Sequence, residues 1–405
     1  MATGDSRTVE ECFLEDYLTT YRHTIPVPGQ FERAKAICLS NTPTIIETPN
    51  VEDVKDEGDF IYGSDSTSRR VVKVTPKKGS KSPEADTTVL KLRKTDSGGK
   101  NRYPTKVLYK ELLITLYVQK CEERIRQPEP GKMDRLFAMC KPFWYKFNSC
   151  EGFELEYFPE GSLRQLPSTE LHDQERLGLL RDAASGLHFL NHLGIIHFDV
   201  KPGNICIFMR ADGTRIAKLI DLGSAKFAGE KVDICRTLDD TRSYRPPELF
   251  PQPGIDYPEK NWIMVSPSAD SWRFGLCILK VMTRDACDSL WSEAILSDDL
   301  YKQFITMNDI MGKVSYRPLK FIGLSTSSLP PCVNKIMYYM MRHNAAERMN
   351  MEQVVKEINE HLDFAKLSPL DDAGSSKATS AVEPAASSPS IEALFGQLDV
   401  SKTHK

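Results

Sequence analysis

The chain has 405 residues, of which 40% are hydrophobic and 27% are charged, so it is globular and long enough for two or more cores. Its net charge of −3 and isoelectric point near 6.3 argue against nucleic acid or an anionic membrane as a partner. No apolar run approaches about 18 residues, and the N-terminus lacks a secretory pattern. The ten cysteines are too widely spaced for a zinc motif or a dense disulfide framework. We therefore expect a cytoplasmic or nuclear protein.

The first half of the chain changes from strand-like to helical patterning. Four prolines interrupt residues 1–57, an N-terminal extension for which the sequence predicts no assignment. Between residues 58 and 110, runs such as RRVVKV and TTVLKLRK alternate apolar and polar residues, which is typical of antiparallel strands. From about residue 170 the period becomes helical, as in ERLGLLRDAASGLHFLNHL. A small sheet domain is therefore expected to precede a helical one.

The C-terminal segment, residues 363–405, is rich in Ser, Ala and Pro. Such a composition buries too little apolar surface to offset the entropy of ordering, which predicts a disordered tail. One apolar stripe at helical spacing interrupts it, formed by Ile391, Leu394, Phe395 and Leu398. A short amphipathic helix that docks a partner and a frayed end without a role are both compatible with this pattern.

Polar residues stand between two apolar runs in the stretch GIIHFDVKPGNICIF, residues 194–208. Asp199, Lys201 and Asn204 fall on the expected loop between a helix end and a buried strand, which would hold them rigidly. Two further motifs follow in order, Asp221-Leu222-Gly223 and Pro246-Pro247-Glu248.

These three segments resemble the catalytic loop, the metal-binding motif and the peptide-platform motif of eukaryotic-type protein kinases of the Ser/Thr type. The resemblance covers about residues 58–362. It implies an α+β, bilobal fold, in which a small antiparallel β-sheet N-lobe with one helix, residues 58–155, precedes a larger, mainly α-helical C-lobe, residues 156–362. The chain is divergent, because it reads HFD and DLG where the family usually reads HRD and DFG.

The resemblance also implies roles for individual residues near the phosphates. Asp199 would accept the proton of the attacking hydroxyl, and Lys201 would contact the γ-phosphate of ATP. Asn204 and Asp221 would supply the oxygen ligands of Mg²⁺. Protein hydroxyl groups would be the substrates.

Further residues are implied in nucleotide binding. Lys91, in a strand, would touch the α- and β-phosphates and pair with Glu111 on the following helix, although Lys73 is a rival for this lysine. The other residues implied for ATP binding are Gly63, Ser64, Val71, Leu155, Glu156 and Phe158. Structural roles are implied for two more side chains, since Asp270 would hold the catalytic loop and Arg348 would pair with Glu248.

Two departures from the family pattern bear on function. The glycine-rich loop keeps only Gly63, and Asp65 would either face the phosphates or cap a turn. Phe198 replaces the arginine that commonly receives an activation-loop phosphate, so we expect activity that does not require such phosphorylation.

A Ser/Thr protein kinase is the leading interpretation. A pseudokinase scaffold is the alternative, motivated by the glycine-rich loop, and a small-molecule kinase of related fold comes third.

Overall fold

The computed structural model describes part of the chain. The described residues are 44–46, 60–62, 69–74, 88–94, 105–126, 135–140, 143–147, 150–165, 171–233, 244–249, 262–283 and 329–367. The glycine-rich loop with Gly63 and Ser64, most of the N-terminal extension, and the apolar stripe of residues 391–398 lie outside them. Every helix within the described segments is too short or too polar to cross a membrane.

A six-stranded sheet forms the N-terminal part, with the strand order β1-β5-β6-β4-β3-β2. The strands are β1 (Thr44–Ile46), β2 (Phe60–Tyr62), β3 (Arg69–Val74), β4 (Thr88–Lys94), β5 (Phe143–Phe147) and β6 (Cys150–Glu156). All neighbours pair antiparallel except β1 and β5, which pair parallel. β1 belongs to the extension for which the sequence predicted no assignment. Its three residues are too few to show a period, although all three are β-branched.

One long helix accompanies this sheet. Helix α1 (Thr105–Arg126) buries Leu112, Leu113 and Val118 and packs against β6 and against a short 3₁₀ turn at Leu222–Ser224. The helix therefore connects the sheet to the segment at residues 222–224.

The C-terminal part is mainly helical. Its helices are α2 (Asp173–His192), α3 (Ser268–Thr283), α4 (Pro331–Met340) and α5 (Met351–Leu367). Its strands are β7 (Ile195–Ile196), β8 (Ile205–Met209), β9 (Arg215–Leu219), β10 (Lys226–Phe227), β11 (Lys231–Asp233) and β12 (Trp262–Met264). They form three antiparallel pairs, β7 with β10, β8 with β9, and β11 with β12. A small sheet with one helix thus precedes a mainly helical part, which confirms the predicted α+β architecture.

Helix α3 forms the centre of the helical core. It is buried on nearly all sides, and Trp272, Phe274 and Cys277 are wholly buried. Helices α2 and α4 pack against it, and the same cluster of buried side chains extends to Leu112 of α1 and Ile358 of α5. A rigid core therefore underlies the loops that precede and follow β8 and β9.

Gly152 lies in the middle of the sheet, opposite Leu92 of β4 and Tyr145 of β5. A Cβ atom there would stand 2.0 Å from the backbone oxygen of Lys91. We expect Gly152→Ala to lower the free energy of unfolding by about 2 to 4 kcal/mol, because backbone atoms of β4 must move.

Gly178 is the matched control, because it lies inside helix α2 and an added methyl group would meet open space. Gly178→Ala should raise the free energy of unfolding by about 0.5 to 1 kcal/mol through helix propensity. Urea denaturation of both variants measures the difference, and equal midpoints for Gly152→Ala and the unmodified protein would contradict the clash.

Candidate active site

Three charged side chains meet where the sheet, helix α1 and the helical part come together. Lys91 Nζ on β4 lies 2.6 Å from Glu111 Oε1 on α1 and 2.9 Å from Asp221 Oδ1. The side chains of Lys91 and Glu111 are only 9% and 3% exposed. The structure thus brings together Lys91 and Glu111, which the sequence placed on separate elements. Lys73, the rival lysine, stands opposite Val89 in the register of β3 and β4.

Lys91, Glu111 and Asp221 form a triad, and the contacts between them shift the pKa values of Lys91 and Asp221. Burial alone would raise the pKa of Asp221, but the charge and hydrogen bond of Lys91 outweigh it and hold that pKa well below its usual range. Burial likewise opposes the charge of Lys91, yet Asp221 and Glu111 raise the lysine pKa above its ordinary value. Lys91 and Asp221 are therefore both ionised at neutral pH.

Gly223, two residues after Asp221, leaves room for the carboxylates of Glu111 and Asp221. A Cβ at this position would lie 3.0 Å from Glu111 Oε2 and 3.1 Å from Asp221 Oδ1. The Gly223 amide also donates to Asp221 Oδ1 over 3.3 Å. The absence of a side chain at residue 223 thus lets α1 and the Asp221 turn pack closely.

The loop between β7 and β8 holds the other three polar residues found from the sequence. Lys201 Nζ donates to Asp199 Oδ2 over 2.7 Å. The Asn204 amide nitrogen donates to the Asp199 backbone oxygen over 2.8 Å and to Asp199 Oδ2 over 3.2 Å. A 3₁₀ turn at Pro202–Asn204 returns the chain so that Asn204 faces Asp199. The aspartate is buried and its orientation is set by both neighbours.

Asp270, near the start of α3, fixes the backbone of this loop. Its two carboxylate oxygens accept the His197 amide over 2.7 Å and the Phe198 amide over 2.9 Å, which confirms the predicted contact. Phe198 has a φ of 64°, a left-handed conformation that costs a non-glycine residue about 1 to 2 kcal/mol. Burial raises the pKa of Asp270, while His197 and the two amide donors oppose the rise.

Two further contacts tie the Asp199 loop to the Asp221 segment. His197 Nε2 lies 3.0 Å from the Ile220 backbone oxygen, and the Ile220 amide donates to the Asn204 backbone oxygen over 3.1 Å. Asp221 itself has a φ of 63°, and its side chain caps the following 3₁₀ turn. The two acidic residues are therefore held in one rigid arrangement.

Arg348 and Glu248 join the segment at 244–249 to the helical core. The guanidinium nitrogens Nη1 and Nη2 donate to the two Glu248 carboxylate oxygens over 2.8 and 2.7 Å. Arg348 also donates to the Ser268 backbone oxygen over 2.9 Å and stacks on the Trp272 ring. The predicted pairing of Arg348 with Glu248 is confirmed, and the structure shows that it is bidentate.

The residues implied in nucleotide binding lie along β3, β6 and the segment after β6. Val71 is half-buried and stands opposite Lys91 in the β3–β4 register. Leu155 is half-buried against the main core, Glu156 is half-buried, and Phe158 is buried. Val71 and Leu155 therefore lie on the two strands that flank β4, the strand that carries Lys91, and Glu156 and Phe158 lie at and just after the end of β6.

The donor set fits Mg²⁺ with the phosphates of ATP. Because the Asn204 amide nitrogen is committed to Asp199, its carbonyl oxygen is the atom left to ligate a cation. Within the described segments, the hydrogen bonds of Asp221 converge on Oδ1, which leaves Oδ2 as the second hard oxygen. Such oxygens are the protein ligands that Mg²⁺ prefers, and Lys91 and Lys201 add positive charge for phosphate.

Sequence reasoning missed two lysines that act on this site. Lys110, next to Glu111, donates to the Ala225 backbone oxygen over 2.9 Å and so fixes the start of the segment after Asp221. Lys218 is buried in β9 and pairs with Glu156. The only signal for Lys218 was a single charge within the apolar run IAKLI, residues 216–220.

Comparison with known proteins supports the same family. A model of the protein kinase domain matches residues 143–358. The inhibitor of nuclear factor kappa-B kinase subunit alpha of Danio rerio is 35% identical over 131 residues, covering 31% of this chain and 16% of that protein. The serine/threonine-protein kinase SBK1 of Danio rerio is 30% identical over 155 residues, which is 38% of this chain and 37% of its own.

A plant relative shows a longer match. The mitogen-activated protein kinase kinase 9 of Arabidopsis thaliana is 25% identical over 194 residues, covering 47% of this chain and 54% of that protein. The chain therefore spans less than two thirds of each of these relatives. Because the domain match covers more than half of the 405 residues and includes the Asp199 loop, the Asp221 turn and Arg348, the chain belongs to the eukaryotic-type protein kinase family.

Proposed function

We propose that this protein is an ATP-dependent serine/threonine kinase that transfers the γ-phosphate of ATP to hydroxyl groups of protein substrates. The observation that carries the proposal is the connected network in which Lys91 contacts both Glu111 and Asp221 while Asp199 contacts Lys201 and Asn204. Phosphoryl transfer depends mainly on positioning and on neutralising spread charge, and these groups are already held in place.

Each residue has a distinct part in this proposal. Asp199 orients the attacking hydroxyl and accepts its proton, and Lys201, bonded to Asp199, stands where it can also neutralise phosphate charge. Asn204 and Asp221 would hold Mg²⁺, which would supply positive charge to offset the charge of the phosphates. Lys91 orients the phosphates, and Glu111 fixes Lys91.

A protein substrate is favoured over a small molecule by the segment at 244–249. The Glu248–Arg348 pair holds that segment against α3 beside the catalytic part, as a platform for an extended peptide would require. The names of the relatives describe protein kinases, and this supports the same substrate class. The docking role of Ile391, Leu394, Phe395 and Leu398 stays a prediction from the sequence.

A pseudokinase scaffold is the second candidate, since the sequence at residues 63–68 keeps only one glycine of the phosphate-binding pattern. Asp199→Asn separates the two functions. The variant should lose at least about a hundredfold in turnover, because general-base catalysis commonly contributes 10²- to 10⁴-fold. Its fold and its affinity for ATP should stay close to those of the unmodified protein.

Asp212→Asn is the control, because Asp212 caps Thr214 in the exposed hairpin between β8 and β9. The measurement is transfer of labelled phosphate from ATP, with Mg²⁺, to a degenerate peptide library. Equal background labelling by the unmodified protein and by Asp199→Asn would favour the scaffold.

The proposal includes a second claim, that activity does not require phosphorylation of the activation segment. Phe198 is 1% exposed and packs with Val232 of β11 and with Leu249 and Val265, so apolar contacts occupy the place next to Asp199 where the family usually has a cation. A phosphate nearby would find fewer charge-assisted partners.

We expect phosphatase-treated protein and the Thr237→Ala variant to keep most of their turnover. Thr237 lies outside the described residues, and the expectation rests on the uncharged Phe198 site. Initial rates on the best library peptide, before and after phosphatase treatment, measure it. A drop of about tenfold or more in either sample would show that another cation replaces the missing arginine.

A further inference from the structure

Lys218 is a buried cation behind the segment that follows β6. Its side chain is 5% exposed, and Nζ lies 2.6 Å from Glu156 Oε1. The same ammonium stands 4.1 Å from the ring centre of Phe208 and 5.8 Å from that of Phe158. Two aromatic faces and one carboxylate therefore stabilise a charge that would be costly to bury alone.

Glu156 in turn is held from the opposite side. Its second carboxylate oxygen, Oε2, accepts the Met139 amide over 3.0 Å, and its own amide donates to the Met139 backbone oxygen over 2.8 Å. Glu156 ends β6 and begins the connection between the sheet and the helical part. The position of this connection is therefore set by Met139 on one side and by Lys218 on the other.

Lys218 also has a defined place relative to the catalytic residues. It stands three residues before Asp221 and opposite Cys206, which itself follows Asn204 by two residues. Cys206 packs with Phe158 and Ala138. A shift of Lys218 would consequently reach both the connecting segment and the strand that leads to the expected metal ligand.

We propose that Lys218 is a positioning residue that fixes the connecting segment at Glu156 and Phe158 and thereby sets the affinity for the adenine end of the nucleotide. The role in affinity rests on the proposed kinase function, whereas the fixing of the segment does not. Lys218 does not touch the reacting groups, so its loss should affect binding of ATP more than the chemical step.

The test compares Lys218→Met with the unmodified full-length chain. Glu156 is 17% exposed and can turn towards water once its partner is gone, which releases the segment. We expect the Kd of Mg²⁺-ATP, measured by titration calorimetry, to rise about tenfold, while kcat at saturating ATP changes less than about threefold. Hydrogen exchange of the backbone amides within residues 156–160, all but Pro159, should become faster.

Lys335→Met is the control for the same type of substitution, because Lys335 of α4 pairs with Glu357 of α5. This variant should keep the ATP affinity and the exchange rates of the unmodified protein. Glu156→Gln serves as a second variant that keeps an oxygen acceptor but removes the charge, and it should raise the Kd about threefold. If Lys218→Met does not fold, Glu156→Gln decides the question.

The outcomes separate this inference from the proposed function. Unchanged exchange at residues 156–160 together with unchanged ATP affinity in the folded Lys218 or Glu156 variant would overturn the positioning role, even in an active kinase. Faster exchange in that variant, with no ATP binding by the unmodified protein, would support fixing of the segment. That result would overturn nucleotide binding and with it the proposed kinase activity.

Discussion

The rest of the site depends on the contact of one ammonium group with two carboxylates. Lys91 comes from the sheet, Glu111 from helix α1 and Asp221 from the turn after β9, so a single buried cation joins three separate parts of the chain. Removing one partner of such a buried pair commonly costs about 3 to 5 kcal/mol, because the remaining charge is left uncompensated. The three elements are therefore held in one relative position, and a turn with glycine at residue 223 provides the room that this position requires.

A second constraint comes from the core and acts on backbone atoms. Asp270 is buried in α3 and accepts two successive amides of the Asp199 loop, which holds Phe198 in a conformation that it would rarely adopt in a peptide. The cost of that conformation is offset by hydrogen bonds to a charged acceptor, which are among the stronger ones in proteins. The backbone that leads into Asp199 is consequently fixed by a helix to which the proposed function assigns no reacting group.

The sequence predicted those parts of the site that are local in the chain. Asp199, Lys201 and Asn204 stand out because they are polar residues between two apolar runs, whereas the pairing of Lys91 with Glu111 was implied by the resemblance to protein kinases. The pairing of Thr44–Ile46 with β5 could not be predicted, since a three-residue strand has no readable period and its partner lies about a hundred positions away. The pairing of Lys218 with Glu156 escaped for a similar reason. A charged residue within an apolar run can be recognised in the sequence, but its ion-pair partner can be identified only from the fold.

Phe198, which stands where the family commonly has an arginine, makes apolar contacts with the segment that follows Asp221. Its ring lies among Val232, Leu249 and Val265, with the Arg273 guanidinium 5.1 Å from the ring centre. The segment after Asp221 is also paired through β10 with β7 and through β11 with β12. Apolar burial and backbone hydrogen bonds do not depend on the addition of a phosphate, whereas an arginine pocket does. Residues 221–233 are thus held by contacts that need no phosphate, and this is the physical basis of the proposal that activity does not require phosphorylation of the segment.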